Sequence, residues 1–592
     1  MFKLKISKDV HSLVVILASV IVGSVVGIFS FALHLLIEVC RKFFLEVLGN
    51  FRLPVSSGEI EVLKEFPSIG ICLPLFLIPA IGGLLCGLIA LIAPETYGGG
   101  TDEVVNSFHM LRGFIRARVP FIKTIVSALT IGSGGSGGRE GPIVHIGGGV
   151  GSVIAEIFKM NDRCRRILVA SGIAGGMGSI FLAPIGGAIF GIEVLYKRDY
   201  EVEALIPAVI SSIMAYVVFQ SILSAVAGVP FGSLRIFKTE NVRICSAYDL
   251  LGYAILGVLA GLVSLLYIYS KVFFKKVFDA IPTAKYVKPA IGGFIVGLIG
   301  MYFPYILGTG YGYTQLALLG KLSITVMALA TILKVFATTI TVSSGGSGGL
   351  FAPAVVIGCM LGGTVGGFLH SIFPDICNYP EGFMLAGMAA LVSGTFKTPL
   401  SAIIMVVEMT GNYNLLPALA ISSVTSYLIT RDISIVEAQV ATRAESPAHR
   451  AEMQIDVLRN VRVRDAMIPA EKVVTVSPSN TVFEVLNLIE KTGHIGYPVL
   501  NNGELVGIIT FEDVEKVPIE KRKTTTVSDV MTRNLVVTYP DETLEDALIK
   551  LVTRGVGRLP VVEREDKKKL VGLITRSDIM KAHAREISRL YG

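Results

Sequence analysis

Long apolar stretches recur along the first part of the chain, at residues 13–36, 69–92, 204–226, 250–272, 289–301, 324–342, 352–368 and 384–409. A helix standing upright in a bilayer needs about 20 apolar residues. Some stretches exceed that length and others fall short, which suggests tilted spans mixed with helices that stop partway, as in transport proteins with a site near mid-membrane. Charged residues make up 17% of the chain, against about 25% in a soluble globule. The chain reads as a polytopic membrane protein. Lys3, Lys5 and Lys8 precede a first stretch that continues without a small-residue cleavage pattern, so no signal peptide is expected and the amino terminus is placed in the cytoplasm.

From Ser446 to Gly592 no run of spanning length occurs, and Lys, Arg, Glu and Asp become frequent. That length suits one or two small soluble domains. The expected division is a membrane domain over 1–440, a linker over 441–460 that includes the polar segment Thr442–Glu452, and two tail domains over 461–516 and 525–585. The seven cysteines (Cys40, Cys72, Cys86, Cys164, Cys245, Cys359, Cys377) show no metal-ligand spacing, and none lies in the tail, which excludes a disulfide scaffold there. The formal charge of +7 fits loops flanking membrane spans, with Arg163, Arg165 and Arg166 as topology signals, and no nucleic-acid partner is expected.

Two glycine runs break the apolar pattern: SGGSGGREGP at Ser133–Pro142 and SGGSGGLFAP at Ser344–Pro353. Related segments follow each, Ala170–Val194 and Leu385–Met409, in which Pro184 and Pro399 precede Glu193 and Glu408 by nine residues. The chain thus contains two repeats, about 12–225 and 250–435, and we expect them to be inverted, with a substrate site at their interface. Scattered glycines such as Gly147, Gly148 and Gly149 fit close helix packing equally well. The clustered runs disfavour helix by up to about 1 kcal/mol per glycine, and extended backbone facing lipid would leave peptide groups unpaired. Each run is followed by a proline and then apolar residues, the pattern of a loop feeding a helix start inside the protein. Unpaired N–H groups and the positive end of the helix dipole make such a start an anion site.

Only the first run carries charge, Arg139 and Glu140. In a soluble protein Glu140 would be an acidic helix cap. Inside a membrane an ionised carboxylate costs about 2.5–3.5 kcal/mol on insertion scales, and such residues are functional candidates. A carboxylate at an anion-binding helix start competes with the anion, which makes Glu140 a gate and a candidate proton carrier. Glu193 and Glu408 fit the membrane surface or a helix-cap network. Lys397 fits a vestibule charge or a snorkelling side chain.

These motifs resemble the CLC family of chloride channels and proton-coupled chloride exchangers, over about residues 10–440. Gly138–Pro142 (GREGP) is similar to the family's gating-glutamate motif, which implies a gating role for Glu140 and contacts to the anion from Gly138, Arg139 and Gly141. Gly349–Pro353 (GLFAP) is similar to the second selectivity motif, implying anion binding by Gly349, Leu350, Phe351 and Ala352, chiefly through the amides of Leu350 and Phe351. The resemblance implies an all-α membrane domain of two inverted repeats, a homodimer with one pore per subunit, and chloride as the bound ion. Three positions depart from the exchanger pattern. Gly99, in GGGTD at Gly98–Asp102, stands where a serine hydroxyl coordinates chloride. Val436, in SIVEAQ at Ser434–Gln439, stands for the inner tyrosine. Val194 stands where many exchangers carry an internal proton-transfer glutamate.

The tail contains its own repeat, Val463–Val514 and Val527–Ile579. Alternation predicts a strand at Val473–Val476, helical spacing covers Thr481–Glu490, and Tyr497–Leu500 and Leu505–Ile509 read as strands joined through Asn502–Gly503. The α/β pattern resembles a tandem pair of CBS domains. That resemblance implies an adenine nucleotide (ATP, ADP or AMP) between them, with Thr510 and Asp513 in one copy and Thr575 and Asp578 in the other; an aspartate at these points also serves as a helix cap. No catalytic centre is visible, so the chain is not expected to be an enzyme.

Valine cannot relay a proton, so the expectation is a passive, voltage- or pH-influenced chloride channel in the cell membrane, gated by Glu140 and regulated by cytoplasmic CBS domains. The alternatives are a proton-coupled anion exchanger and a nucleotide-sensing membrane protein without substantial ion flux.

Overall fold

The computed structural model describes residues 2–63, 73–239, 242, 244, 249–373, 379–449 and 458–591. Cys72, Cys245 and Cys377, the start of the expected 69–92 stretch and residues 450–457 of the expected linker lie outside the described residues. Two units divide at Met1–Ala448 and His449–Gly592.

In the first unit, one set of helices comprises α1 (Phe2–Arg41), α2 (Leu77–Ala90), α3 (Thr101–Met110), α4 (Val119–Gly132), α5 (Glu140–Ile157), α6 (Asp162–Ile180), α7 (Pro184–Glu193) and α8 (Leu205–Ala227). A second set comprises α9 (Asp249–Ala280), α10 (Lys288–Tyr302), α11 (Tyr311–Leu318), α12 (Ile324–Ser343), α13 (Phe351–Ile372), α14 (Pro380–Phe396), α15 (Pro399–Thr410) and α16 (Leu416–Ile429). Among the described residues, Leu13–Leu48, Val202–Ala227, Asp249–Ala280, Ile324–Ser343 and Phe351–Ile372 are long and apolar enough to cross a membrane, while α2, α4, α10 and α15 are shorter apolar helices. The apolar stretch 384–409 is not one span. It breaks where Lys397 takes a left-handed φ of 62°, ahead of Pro399, and Leu182 makes the same break ahead of Pro184 with φ 56°. Proline disfavours helix in the preceding residue, so both breaks follow from sequence.

The two sets are related residue by residue. Ser127 Oγ lies 2.8 Å from Ser347 Oγ, and Thr338 Oγ1 lies 2.9 Å from Ser136 Oγ. The Ser347 amide donates to Thr130 Oγ1, and the Ser136 amide donates to Thr341 Oγ1. Gly98 N–H reaches Gly345 O, and Gly308 N–H reaches Gly134 O. Each bond has a twin with the repeats exchanged, as a twofold relation between them requires. On that relation Gly138 and Gly349 form an antiparallel bridge, with N···O distances of 2.8 and 2.6 Å.

Close packing of α5 on α6 uses the same device as α13 on α14. A Cβ on Gly172 would collide with Gly147 O, and one on Gly387 would collide with Gly358 O. Glycine lets these backbones touch, which is how membrane helices associate without a hydrophobic driving force. Glu193 and Glu408 form the expected alternative of a cap network. Glu193 accepts the amides of Leu400 and Ser401 at the start of α15 (3.1 and 2.8 Å), and Glu408 accepts those of Ile185 and Gly186 at the start of α7 (3.1 and 2.7 Å). Lys397 is buried, with Nζ donating to Gly394 O at 3.0 Å and to Thr430.

In the second unit, β2 (Gly496–Asn501) and β3 (Glu504–Thr510) form one antiparallel pair, while β1 (Ile468–Pro469), β5 (Leu570–Thr575) and β4 (Arg558–Val562) form a sheet in that order. Asn502 and Gly503 both have positive φ (48° and 87°), as a tight hairpin turn demands. The strand expected at Val473–Val476 shrinks to a single bridge, Val476 to Val499, because only Val476 reaches the Pro498–Leu500 backbone. Helices Val482–Thr492 and Leu544–Thr553 begin with matching capping boxes at Thr481 and Thr543.

Gly172→Ala should force α5 and α6 apart at a cost of about 1–3 kcal/mol. The thermal midpoint of the purified variant is expected to fall by several degrees, and an unchanged midpoint would contradict this packing.

Candidate functional site

Three sequence-distant segments converge where the glycine runs end. A Cβ on Gly141 would lie 2.5 Å from Gly99 O and 2.7 Å from Gly349 Cα, and one on Gly138 would lie 2.7 Å from Ala352 Cβ and collide with Glu140 Oε2. The glycines therefore clear side chains from the meeting point of α3, α5 and α13. Two lysines fix the loops around it. Lys123 Nζ donates to Thr96 O and Gly98 O (3.0 and 2.8 Å), and its twin Lys334 donates to Ile306 O and Gly308 O (both 2.8 Å).

Glu140 is fully buried as the first residue of α5, yet its carboxylate serves α13. Oε2 accepts the Ala352 amide at 3.2 Å, and Oε1 accepts the Tyr311 hydroxyl at 2.8 Å. The first N–H groups of a helix lack intrahelical partners. At α13, the amides of Leu350 and Phe351 have no acceptor among the described residues, and the Ala352 amide is held by Glu140. A carboxylate thus sits on the helix start that the sequence marks as an anion site. The Phe351 ring packs at centroid distances of 5.2 to 5.4 Å on Phe181, Phe190 and Phe396, giving this start an apolar collar.

The other sequence-derived residues fall as follows. Gly138 and Gly349 give their amides to each other, so they frame the site and leave no N–H for an anion. Arg139 is buried and turned toward Tyr311, 5.7 Å from its ring centre, with His34 Nδ1 at 3.3 Å, Ile180 O at 3.3 Å and the Glu59 carboxylate at 3.6 Å. Gly99 has room for a side chain, since nothing outside its neighbours lies nearer than 4.0 Å to an added Cβ. Val436 is buried, one residue beyond Ile435, whose carbonyl accepts Lys271 Nζ at 2.7 Å. Lys271 also pairs with Asp102 at 2.7 Å and Glu437 at 3.3 Å. Val194 is fully buried, and its carbonyl accepts Gln439 Nε2 at 2.7 Å.

Sequence reasoning missed Tyr311, Tyr267, Lys123 and Lys334. Tyr267 is fully buried and donates to Leu350 O at 3.1 Å, holding the loop that leads into α13 from α9. The signal for Tyr311 was the match of LGTGYG to YGGGTD between repeats, which puts Tyr311 at the twin position of Thr101.

In the second unit a cavity of about 460 Å³ is lined by Thr510, Asp513, Lys516, Gly555, Gly557 and Arg558, among others. Asp513 Oδ2 accepts the Thr510 amide and hydroxyl (3.0 and 2.8 Å), and Asp578 does the same for Thr575 (3.0 and 2.6 Å). Both aspartates are helix caps; Thr510 and Asp513 also face this cavity.

Residues 70–431 match the model of the family described as voltage gated chloride channel, and residues 463–520 and 527–585 match CBS domains. The H(+)/Cl(−) exchange transporter ClcA of Vibrio campbellii is 30% identical over 64% of this chain and 81% of its own length. The transporter of that name from Vibrio cholerae is 30% identical over 72% of this chain and 88% of its own. The crystal structure of a slow cyanobacterial Cl−/H+ antiporter superposes with a TM-score of 0.61 at 23% identity, over 70% of this chain and 94% of that one. These findings overturn the expectation of a passive, voltage-gated channel, because the similar proteins are named as exchangers. The error lay in the weight given to Val194. An aliphatic residue there removes one proton carrier but leaves the Glu140 carboxylate on the start of α13 untouched.

Tyr311→Phe removes a hydrogen bond to a charged group, a kind worth about 1.5–3 kcal/mol. Chloride should then displace the loosened carboxylate more readily, and calorimetry should show tighter chloride binding; unchanged affinity would contradict the competition.

Proposed function

The chain belongs to the voltage gated chloride channel family, and we propose that it works there as a proton-coupled anion exchanger. It is a multi-pass membrane transport protein, not an enzyme, with its CBS pair on the cytoplasmic side. The observation that carries the proposal is the Glu140 carboxylate seated on the Ala352 amide, beside the amides of Leu350 and Phe351 that have no acceptor among the described residues.

Ionised, Glu140 is an acceptor-only group and satisfies the start of α13 as an anion would. Protonated, it loses that charge and gives way to a chloride held by the Leu350, Phe351 and Ala352 amides. The berth cannot hold carboxylate and chloride together, since like charges at contact repel strongly in a low-dielectric site. Each arriving anion therefore displaces a side chain that leaves with a proton, which couples the two fluxes in opposite directions. Without hydroxyls at Gly99 and Val436, the anion relies on backbone donors. Val194 carries no proton, so protons reach Glu140 through water or another acid. In this proposal the working unit is a homodimer with one pathway per subunit.

The CBS pair adds a regulatory reading: an adenine nucleotide binds in the 460 Å³ cavity, with Asp513 near the ribose hydroxyls and Thr510, Lys516 and Arg558 beside it. The position of the cavity favours Thr510 and Asp513 over Thr575 and Asp578.

In vesicles, an imposed chloride gradient should drive protons uphill, and Glu140→Gln should abolish that movement while chloride still flows. Absence of proton movement in the unmodified protein would sink the exchanger reading. Asp513→Ala in the full chain should weaken ATP or AMP binding by about tenfold, as loss of a charged hydrogen bond predicts, with Asp578→Ala having a smaller effect; equal losses would count against this cavity.

A further inference from the structure

Exchange leaves the inner leg of the proton path without a carrier, because Val194 stands where a transferring acid is expected. We infer that Glu103 and His145 form this inner leg, an inference that rests on the exchanger reading above.

Glu103 is the third residue of α3, and its Oε2 is buried without a hydrogen-bond partner among the described residues. His145, on α5, is 1% exposed, and its Nδ1 is equally unpartnered. A buried polar atom left unsatisfied costs about 1–3 kcal/mol, so two of them around one lysine require a reason. Both side chains lie within electrostatic reach of Lys123, and Glu103 is also within reach of Asp102 and Lys271. Gly100 draws His145 and Lys123 together beside the start of α5. A Cβ there would lie 3.0 Å from His145 Cβ, 3.1 Å from Lys123 Cε and 2.9 Å from Gly141 O, the carbonyl of the residue after Glu140. His145 is five residues beyond Glu140 on one helix, about 7.5 Å along its axis. At the other end Glu103 adjoins Asp102, which is 32% exposed and paired through Lys271 with the 45% exposed Glu437. Titratable groups therefore extend from a solvent-accessible cluster beside Val436 to the neighbourhood of the gate.

The second repeat provides an internal control. Around Gly310, the twin of Gly100, a Cβ would lie 3.2 Å from Val356 and 3.4 Å from Lys334 Nζ. Val356 occupies the position of His145, and Tyr313 that of Glu103. The same loop, lysine clamp and helix start are thus built without an acid or an imidazole. Packing does not require Glu103 and His145, and only one side of the pathway carries them.

The steps need no other reactant. The Glu103 carboxylate takes a proton from the inner solution and passes it to the His145 imidazole, which passes it to the Glu140 carboxylate. Only O–H and N–H bonds form and break, and a transfer longer than a hydrogen bond passes through one intervening water. Lys123 keeps its protons, which bind Thr96 O and Gly98 O.

The test is the ratio of proton to chloride movement in vesicles holding the full chain, compared with Glu103→Gln and with His145→Val, which borrows the twin residue. Each variant is expected to lower the ratio about tenfold or more, within the usual range for loss of a positioned acid or base. A coupled unmodified protein with unchanged ratios in both variants would overturn the relay and leave the exchanger reading standing. An uncoupled unmodified protein would overturn that reading itself. If Glu103→Gln loses chloride movement as well, His145→Val decides, a lowered ratio supporting the relay and an unchanged one overturning it.

Discussion

A peptide N–H inside a membrane must find an acceptor, because no bulk water is available to serve it. At the start of α13 the chain breaks this rule in a controlled way: among the described residues Leu350 and Phe351 have no acceptor, and Ala352 has only the Glu140 carboxylate. The surrounding structure serves to keep that helix start in place. The Gly138–Gly349 bridge fixes the two runs against each other, Lys123 and Lys334 pin the loops on either side, and Tyr267 ties down the Leu350 carbonyl. Four buried attachments hold the amides in one geometry, so that in the proposed exchange an ion would meet donors that need no rearrangement.

The twofold skeleton explains economy, and its violations explain function. Serine–serine and threonine–serine contacts, glycine-to-glycine helix crossings and the Glu193–Glu408 caps all occur in matched pairs. The pairs break at the residues the proposed exchange uses: Glu140 against Phe351, Tyr311 against Thr101, and Glu103 with His145 against Tyr313 with Val356. A symmetric scaffold would treat both membrane faces alike. In the proposed exchange the gating carboxylate belongs to one repeat and sits on the helix start of the other, so the interface between repeats is itself the switch.

Much of this was legible in the sequence. Glycine runs closed by Pro142 and Pro353 announced two helix starts, and Glu140 was the only acid beside either. The breaks ahead of Pro184 and Pro399 were not read, because one lies among apolar residues and the other shows only Lys397 and Thr398 between two apolar segments, while each proline turns the backbone. The roles of Tyr311 and Lys123 were hidden for another reason: each acts across more than a helix, and a lone tyrosine or lysine in an apolar region carries no local periodicity. Val194 misled because a missing side chain reports what a position cannot do, not what neighbouring residues supply. In the tail, the complete TRSD at Thr575–Asp578 favours the second copy in sequence, whereas the cavity is lined by Thr510 and Asp513 of the first.

The central claim is that one carboxylate and one anion share the start of α13. It is tested most directly by locating bromide, a heavy stand-in for chloride, through its anomalous scattering in crystals of the Glu140→Gln protein. The account predicts bromide within hydrogen-bond reach of the Leu350, Phe351 and Ala352 amides, in the place where the Glu140 carboxylate sits. Bromide bound elsewhere in the pathway, with those amides closed off by other protein groups, would contradict it.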